Sequence, residues 1–484
     1  MVGVLPQFSA LWQELLLHPL FFSVFILSLV FLFLRRNGST TGKLNLPPSP
    51  PRLPLIGNLH QLGSLPHRSL RALAHKHGQN LMLLHLGQVP TLVISSAEMA
   101  REMVKNHDIV FSNRPRSTAP SILLFGCEDV GFSPYCEYWR QARKISVVEL
   151  LSIKRVQEFQ FVREEETAAM SFMDEGGRSR IGELSRQMML LLGAFSVGDF
   201  FPGLKWIDVA RGLLGRMKAT FRELDEFLDQ LIEEHKAFLD SSSSASGTSE
   251  ANHFMDILLR LIKDGMLDFD LTKNNIKGIL ADMFVGGTDT SSTGMEWLMA
   301  ELVKNPRVMK KVQEEVRRVV GKKSKIDMED INQMSYFKCV IKENLRLHPP
   351  VALLVPRETS TSVEMGGYHI PAKAQVFVNA WAIQRDPSLW GRPEEFMLER
   401  FENSSVDFKG QDFEYIPFGV GRRGCPGIAF GVASTEYVIA NLLYWFDWKL
   451  PCGALGEDLD MSEAHGLTVS KKLPFHLLPT PYSP

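Results

Sequence analysis

A helix that is apolar on every side has to sit in the middle of a protein. The segment from Thr272 to Lys304 is of this kind through most of its middle, so the rest of the chain must wrap around it. Inside it lies GGTDT, Gly286 to Thr290. Two adjacent glycines loosen or bend a helix locally. Burying an acid and a hydroxyl, Asp289 and Thr290, is costly unless they serve something. A cap or a polar kink is the plainer reading of that pair.

The surroundings are mostly helical. In NPRVMKKVQEEVRRVVG, Asn305 is placed as a cap, Pro306 at the first helical position and Gly321 at the stop, with Val308, Val312, Val316 and Val319 as the apolar stripe. MLLHLG and TLVIS (Thr91 to Ser95) read as a hairpin, and the stretch from about Val363 to Ile383 as a small sheet. SSSSASGTSE, Ser241 to Glu250, reads as a flexible surface loop. No βαβ alternation and no second apolar domain is visible. The expected fold class is mainly α with small β-sheets, in one large domain, which 484 residues allow.

PFGVGRRGCPG, Pro417 to Gly427, holds two competing patterns. Gly419, Gly421 and Gly424 make G-x-G-x-x-G, as in a dinucleotide-binding turn. That turn needs a strand before it, and Pro417 is a poor residue for a central strand. The other reading takes Cys425 as the functional atom. The apolar run GIAFGVASTEYVIANLLYW behind it reads as a buried helix, with Pro426 as its first residue. Cys425 would then sit at a helix N-terminus, where dipoles and free N–H groups favour a thiolate. The glycines would let amides approach the sulfur and a flat ligand lie close. A thiolate so placed is suited to binding iron. Cys339 and Cys452, by contrast, read as inert core residues.

F-x-x-G-x-R-x-C-x-G (Phe418, Gly421, Arg423, Cys425, Gly427) resembles the haem signature of the cytochrome P450 monooxygenases. The resemblance implies the cytochrome P450 fold and a haem b cofactor, with Cys425 as the axial iron ligand, Phe418 shielding the sulfur and Arg423 pairing a propionate. It also implies that Gly286-Gly287 make room for dioxygen and that Asp289 and Thr290 relay protons to it. ENLR, on its own an ordinary i,i+3 surface pair, becomes a buried triad of Glu343, Arg346 and Arg400; Leu398 stands where the family usually has proline. W-x-x-x-R (Trp139, Arg143) and Arg357 become further propionate partners. Pocket contacts would come from Phe125, Met283, Phe284, Ala352, Leu353, Leu354 and Leu467. Arg140 and Lys144 read either as a solvated run or as docking points for an acidic reductase.

The N-terminal run Leu20 to Leu34 is uncharged and is followed by Arg35-Arg36. Extended back to Leu15 it makes roughly 30 Å of helix, just enough to span a bilayer. The basic residues follow the run, which predicts a retained anchor (residues 1–36) with a cytosolic body, not a cleaved signal peptide. Prolines 47, 48, 50, 51 and 54 predict a stiff hinge (37–54) before the catalytic body (55–484). Five cysteines without metal-type spacing point to a reducing compartment, and a net charge of −2 gives no reason to expect nucleic acid.

The phrases KISVVELLS, DMFVGGTDTSSTGMEW and PFGVGRRGCPGIAFG are similar to the large plant microsomal clan that makes specialised metabolites. That resemblance implies a lipophilic small-molecule substrate, an endoplasmic reticulum membrane location and electrons from NADPH-cytochrome P450 reductase. One departure stands out. After FMDEGGRSRIGEL the chain jumps to SRQMMLLLGAFSVGDFFPG, leaving the span from Trp139 to Thr290 short by about one helix. Two other readings therefore stand beside the monooxygenase: a haem-thiolate isomerase or dehydratase that uses no dioxygen, and an inactive truncated isoform.

Overall fold

The computed structural model describes residues 22–28, 44–78, 80–163, 180–242, 254–263, 271–474 and 476–483. The anchor expected over residues 1–36 lies mostly outside them. Residues 22–28 are helical and exposed, and among the described residues no single helix is long and apolar enough to cross a membrane.

The principal helices are α1 (Pro66–His77), α2 (Ala97–His107), α3 (Glu137–Lys144), α4 (Arg180–Leu192), α5 (Leu213–Ser242) and α6 (Phe254–Lys263). They continue with α7 (Lys273–Ala281), α8 (Gly287–Lys304), α9 (Pro306–Val320), α10 (Ser335–Leu347) and α11 (Ile428–Trp445). Helices α7 and α8 form one rod, joined by a π-turn at Asp282–Gly286. Thr272 starts the rod with a reciprocal capping box to Asn275. The wider π-turn falls just before the two glycines, where the sequence predicts a loosened helix.

The rod is the axis of the molecule. On one side α4, α5, α6 and α7 share an apolar cluster that includes Met188, Met217, Leu228 and Leu258. On the other, α8, α9, α10 and α11 pack around Leu298, Val312, Phe337 and Tyr444. The stripe of α9 is Met309, Val312, Val316 and Val320, with Val308 and Val319 only partly buried at its margin. Gly321, at φ +62°, ends the helix as predicted. Asn305 stands at the cap position, but its side chain makes no capping bond; its side-chain amide turns back to donate to the Glu301 carbonyl at 2.8 Å.

A four-stranded sheet lies beside this helical body. The hairpin β1 (Leu81–Leu86) and β2 (Val89–Ile94) runs in register from Leu81↔Ile94 to Leu86↔Val89. Strand β3 (Arg357–Glu358), the small hairpin β4 (Val363–Met365) and β5 (Tyr368–Ile370), and β6 (Gln375–Val378) follow. Strand β6 pairs parallel with β2 and antiparallel with β3. The β4–β5 turn, Gly366-Gly367, needs positive φ at both positions (+59° and +76°). Strands β7 (Phe446–Lys449) and β10 (Leu478–Pro481) pair, as do β8 (Glu463–His465) and β9 (Val469–Lys471).

Two expectations change, for the loop starting at Ser241 and for Cys452. The proline stretch contains no helix, yet it is bound to the body: the Leu83 amide donates to the Pro48 carbonyl at 2.9 Å, and Asn58 and Gln61 donate to Pro51. Helix α5 runs through Ser242 into the expected loop, of which residues 243–250 lie outside the described residues. Cys452 is exposed in a tight turn with φ +56°, whereas Cys339 is buried as expected.

Candidate functional site

A cavity of about 300 Å³ lies between the rod and the loop carrying Cys425. The loop is built for close backbone approach. Gly419 and Gly421 hold φ near +70°, and a Cβ on Gly421 would come within 2.7 Å of Asp108 Oδ1. The Cys425 amide donates to the Phe418 carbonyl at 2.9 Å, and the Gly427 amide donates to Cys425 Sγ at 3.3 Å. Helix α11 begins only at Ile428, with Gly427 as its N-cap. Pro426 therefore precedes the helix, because the chain makes one further turn after the cysteine.

Protein atoms crowd Cys425 on most sides, but its sulfur is accessible because it faces the cavity. Burial pushes the thiol pKa up, against the Gly427 amide and Arg143, which pull it down. The protein alone thus favours the thiol, contrary to the helix-dipole expectation. A metal cation at the sulfur would reverse that balance.

Four arginines line the cavity: Arg114, Arg143, Arg357 and Arg423. Arg143 donates to the Gly424 carbonyl at 2.6 Å, and Arg357 Nη2 to the Val420 carbonyl at 2.6 Å. Arg423 donates to the carbonyls of Ser112, Val130 and Ser133, and its guanidinium lies 4.1 Å from the centre of the buried Trp139 ring. Trp139 lies outside the cavity wall; its indole N–H donates to Val130. Arg114, which motif reading missed, donates to Gly131, Val355 and Pro356. In the phrase FSNRPR nothing but position separates it from Arg116, so the sequence alone does not single it out.

Burial and mutual repulsion hold these guanidinium pKa values down. Arg423 falls to about 9 and Arg357 to about 10, and Arg114 falls well below its ordinary value. Asp108 and Asp129 are the carboxylates acting on the cluster. Arg357 Nη1 is buried with no hydrogen bond, 3.7 Å from Asp108. A wall carrying this much buried positive charge and an unused donor calls for an anionic ligand. A flat group with acidic side arms and a metal at its centre fits the sulfur, the arginines and the open space over Gly286 and Gly287.

Opposite the sulfur, Thr290 and Ser291 line the cavity. Thr290 Oγ1 donates to the Gly286 carbonyl at 2.6 Å. Asp289 does not face the cavity: it is buried behind the wall and accepts from Thr468 Oγ1 at 2.7 Å. Burial raises its pKa, partly offset by that hydrogen bond.

Of the expected pocket residues, Met283, Leu354 and Leu467 line the cavity. Phe125 instead packs edge-on against Phe221 at 5.1 Å, and Phe284 against Phe227 at 5.5 Å. Ala352 packs with Trp381, and Leu353 against the β1–β2 cluster, because positive φ at Leu354 turns that side chain alone inward. Leu124, Met189, Phe254 and Val351 take the vacated roles. They carry no motif, and only packing brings them to the cavity.

The triad sits behind the cysteine loop. Arg346 makes a two-point ion pair with Glu343, at 2.8 Å for each bond, and both side chains are fully buried. Arg400 Nε donates to the same carboxylate at 3.1 Å, as does the Met397 amide at 2.8 Å. Leu398 is buried in a short 3-10 turn that delivers Arg400 without proline. Gln384 carries the support onward, donating to Leu345 and Arg346 and accepting from the Ile416 amide just before the loop.

The cytochrome P450 family profile matches residues 47–176 and 167–478. The two stretches meet at 167–176, outside the described residues and shortly before the departure the sequence shows between Leu184 and Ser185. The chain is 53% identical to the phenylacetaldehyde oxime monooxygenase of Prunus mume, covering all of both chains in an alignment of 532 positions. Against 484 residues, that alignment leaves at least 48 positions unfilled by this chain. It is 50% identical to cytochrome P450 71A1 of Persea americana over 87% of this chain and 91% of that one. It is 46% identical to the desmethylyatein synthase of Sinopodophyllum hexandrum over 95% and 97% of the two chains. A zebrafish cytochrome P450 solved with abiraterone shares the fold, with a TM-score of 0.69 at 23% identity over 87% of this chain and 100% of that chain. With these matches over a haem-thiolate geometry, the chain belongs to the cytochrome P450 family, among the plant monooxygenases of specialised metabolism.

Proposed function

We propose that Cys425 supplies the iron ligand and that Arg114, Arg143, Arg357 and Arg423 hold the haem carboxylates, with Trp139 bracing the last of them. The observation that carries this reading is an accessible sulfur and four guanidiniums, three of them buried, on one cavity wall, with Thr290 opposite. Haem, when bound, activates dioxygen and inserts one of its atoms into a substrate. The chain's own part is to hold, orient and supply protons. Thr290 keeps its hydroxyl proton at the cavity wall on the Gly286 carbonyl. Asp289, raised by burial, is suited to holding and passing a proton from behind that wall. Leu124, Met189, Leu192, Phe254 and Leu467 make the wall around the substrate apolar, which supports a lipophilic small molecule. Two of the named relatives are an oxime monooxygenase and a desmethylyatein synthase, and the substrate class of this chain is a terpenoid, alkaloid or phenolic specialised metabolite.

Residues 1–36 as an anchor, 37–54 as a hinge and 55–484 as the catalytic body give a single-pass protein of the endoplasmic reticulum. Its electrons come from NADPH through the membrane-bound reductase. The exposed Arg140 and Lys144 on α3 support docking beside the cysteine loop. A second reading, an inactive isoform, draws on the break in the family match at 167–176. The carbon monoxide difference spectrum of the reduced protein in microsomes decides between them. A thiolate-type Soret band is expected, and it disappears in Cys425→Ala. Protein without the band supports the inactive isoform, and a band that survives Cys425→Ala removes the ligand assignment.

A further inference from the structure

The loop of residues 128–133 holds the arginine wall in place through its carbonyls. Val130 O accepts from Trp139 Nε1 at 2.9 Å and Arg423 Nη1 at 3.3 Å. Gly131 O accepts from Arg114 Nε at 2.8 Å, and Ser133 O from Arg423 Nη2 at 2.6 Å. The same peptides face the other way with their amides. Asp282, the first residue of the π-turn, accepts from the Val130 amide at 2.5 Å and the Gly131 amide at 3.2 Å. Asp129 accepts from the Phe132 amide at 2.7 Å.

The two carboxyls come together under Gly131, Asp129 fully buried and Asp282 partly so. Burial holds both above the ordinary carboxylate range, and the neighbouring charge of Asp129 raises Asp282 further. The contact has no slack. A Cβ on Gly131 would lie 3.3 Å from Asp129 Oδ2 and from Asp282 Oδ1. A Cβ on Gly278, one turn earlier on the rod, would lie 2.1 Å from the Glu128 carbonyl oxygen.

From this geometry we infer that Asp282, paired with Asp129, is a positioning residue that couples the π-turn of the oxygen-side helix to the arginines that hold the haem carboxylates. The link is continuous: Asp282 takes the Gly131 amide, whose peptide presents the Val130 carbonyl to Arg423 and Trp139, and Asp129 takes the Phe132 amide, whose peptide presents the Gly131 carbonyl to Arg114. A shift of the π-turn therefore moves the arginine wall, and a shift of the haem carboxylates moves the π-turn. The inference rests on the haem-thiolate reading of the site. Asp282, Val130 and Gly131 also line the cavity, so the contact lies at its wall.

The test uses the full-length protein in microsomes or detergent, loaded with haem. Two properties are read: the rate of haem loss to an excess of a high-affinity haem-scavenging globin, and the midpoint potential of the ferric–ferrous couple. Asp282→Ala leaves the loop amides without their acceptor, and haem loss is expected to accelerate about tenfold. The potential is expected to fall, because less firmly held arginines leave the haem carboxylates less neutralised. Asp282→Asn keeps an acceptor for the amides and offers its N–H to Asp129, so both properties return close to wild type. Gly131→Ala keeps both acids and wedges them apart, which should give an intermediate change in both readings while the protein stays folded. Wild-type protein that takes up no haem overturns the functional reading and this inference with it. Haem-loaded Asp282→Ala and Gly131→Ala that match wild type in rate and potential overturn this inference alone. So does Asp282→Asn that behaves as Asp282→Ala.

Discussion

The two walls of the cavity are made by different physics. The cysteine wall is held by directed bonds. Two glycines at positive φ, a buried two-point ion pair, Arg400, Gln384 and four arginines on backbone carbonyls each fix one geometry. The opposite wall, from α4, α6, the apolar side chains of the π-turn and the turn at Leu467, is held mainly by apolar contact. Directed bonds tolerate few residue types at each position, whereas apolar contact tolerates many of similar volume. The first wall therefore keeps one chemistry, and the second is free to vary with the substrate.

This contrast predicts unequal mutational costs. The largest is expected at Glu343. Its removal in Glu343→Ala leaves Arg346 and Arg400 as buried charges without their carboxylate, at a cost of about 3–5 kcal/mol. Thermal unfolding should shift down accordingly, and haem incorporation should fail with it. A variant with wild-type melting would mean that the cysteine wall does not depend on its ion pair.

The second prediction probes where the contrast breaks down. Gly278 stands on the apolar side, yet its backbone approaches the Glu128 carbonyl closely. Gly278→Ala is a favourable change for an exposed helix. Here it must push the rod from the loop, and a loss of about 2–3 kcal/mol is expected from that overpacking. A gain in stability, measured by urea unfolding, would show that the rod and loop are loosely joined.

The third concerns pH. Glu436 on α11 is raised to about 7, chiefly by burial and against Lys338. A carboxyl with a raised folded-state pKa contributes stability that is fully present below its unfolded value near 4.5 and is lost as pH rises through about 7. Glu436→Gln removes the titration, so it should raise the melting temperature at pH 8, by about 1–2 kcal/mol equivalent, and leave it little changed at pH 4. An equal shift at both pH values would assign the effect to packing instead.

The same division explains what could be read from the chain alone. Cys425, Glu343, Arg346 and Arg143 are legible because a directed bond demands a residue type at a fixed spacing. The rod was legible because an all-round apolar helix has one place to go. Phe125, Phe284, Ala352 and Leu353 were misplaced because apolar residues at the cavity are chemically the same as those in the core beside it. Only φ at Leu354 and the ring contacts of Phe221 and Phe227 separate them. Asp289 was identified, but its outward orientation depends on Thr468, far along the chain. The start of α11 was placed early because proline fits a helix start and a turn before one equally well.

The smallest effect on stability, and the sharpest use of the contrast, is expected at Met283. It lines the cavity from the π-turn with its side chain among other apolar groups. Met283→Leu conserves volume, so its cost should stay under about 1.5 kcal/mol. The branched side chain cannot follow a ligand as the thioether can. A substrate turned over by the wild type should therefore be oxidised at a changed ratio of positions, while the Soret band of the carbon monoxide complex stays the same. Product ratios by mass spectrometry, beside that spectrum, read the two walls separately. An altered band with unaltered products would reverse the roles assigned to them.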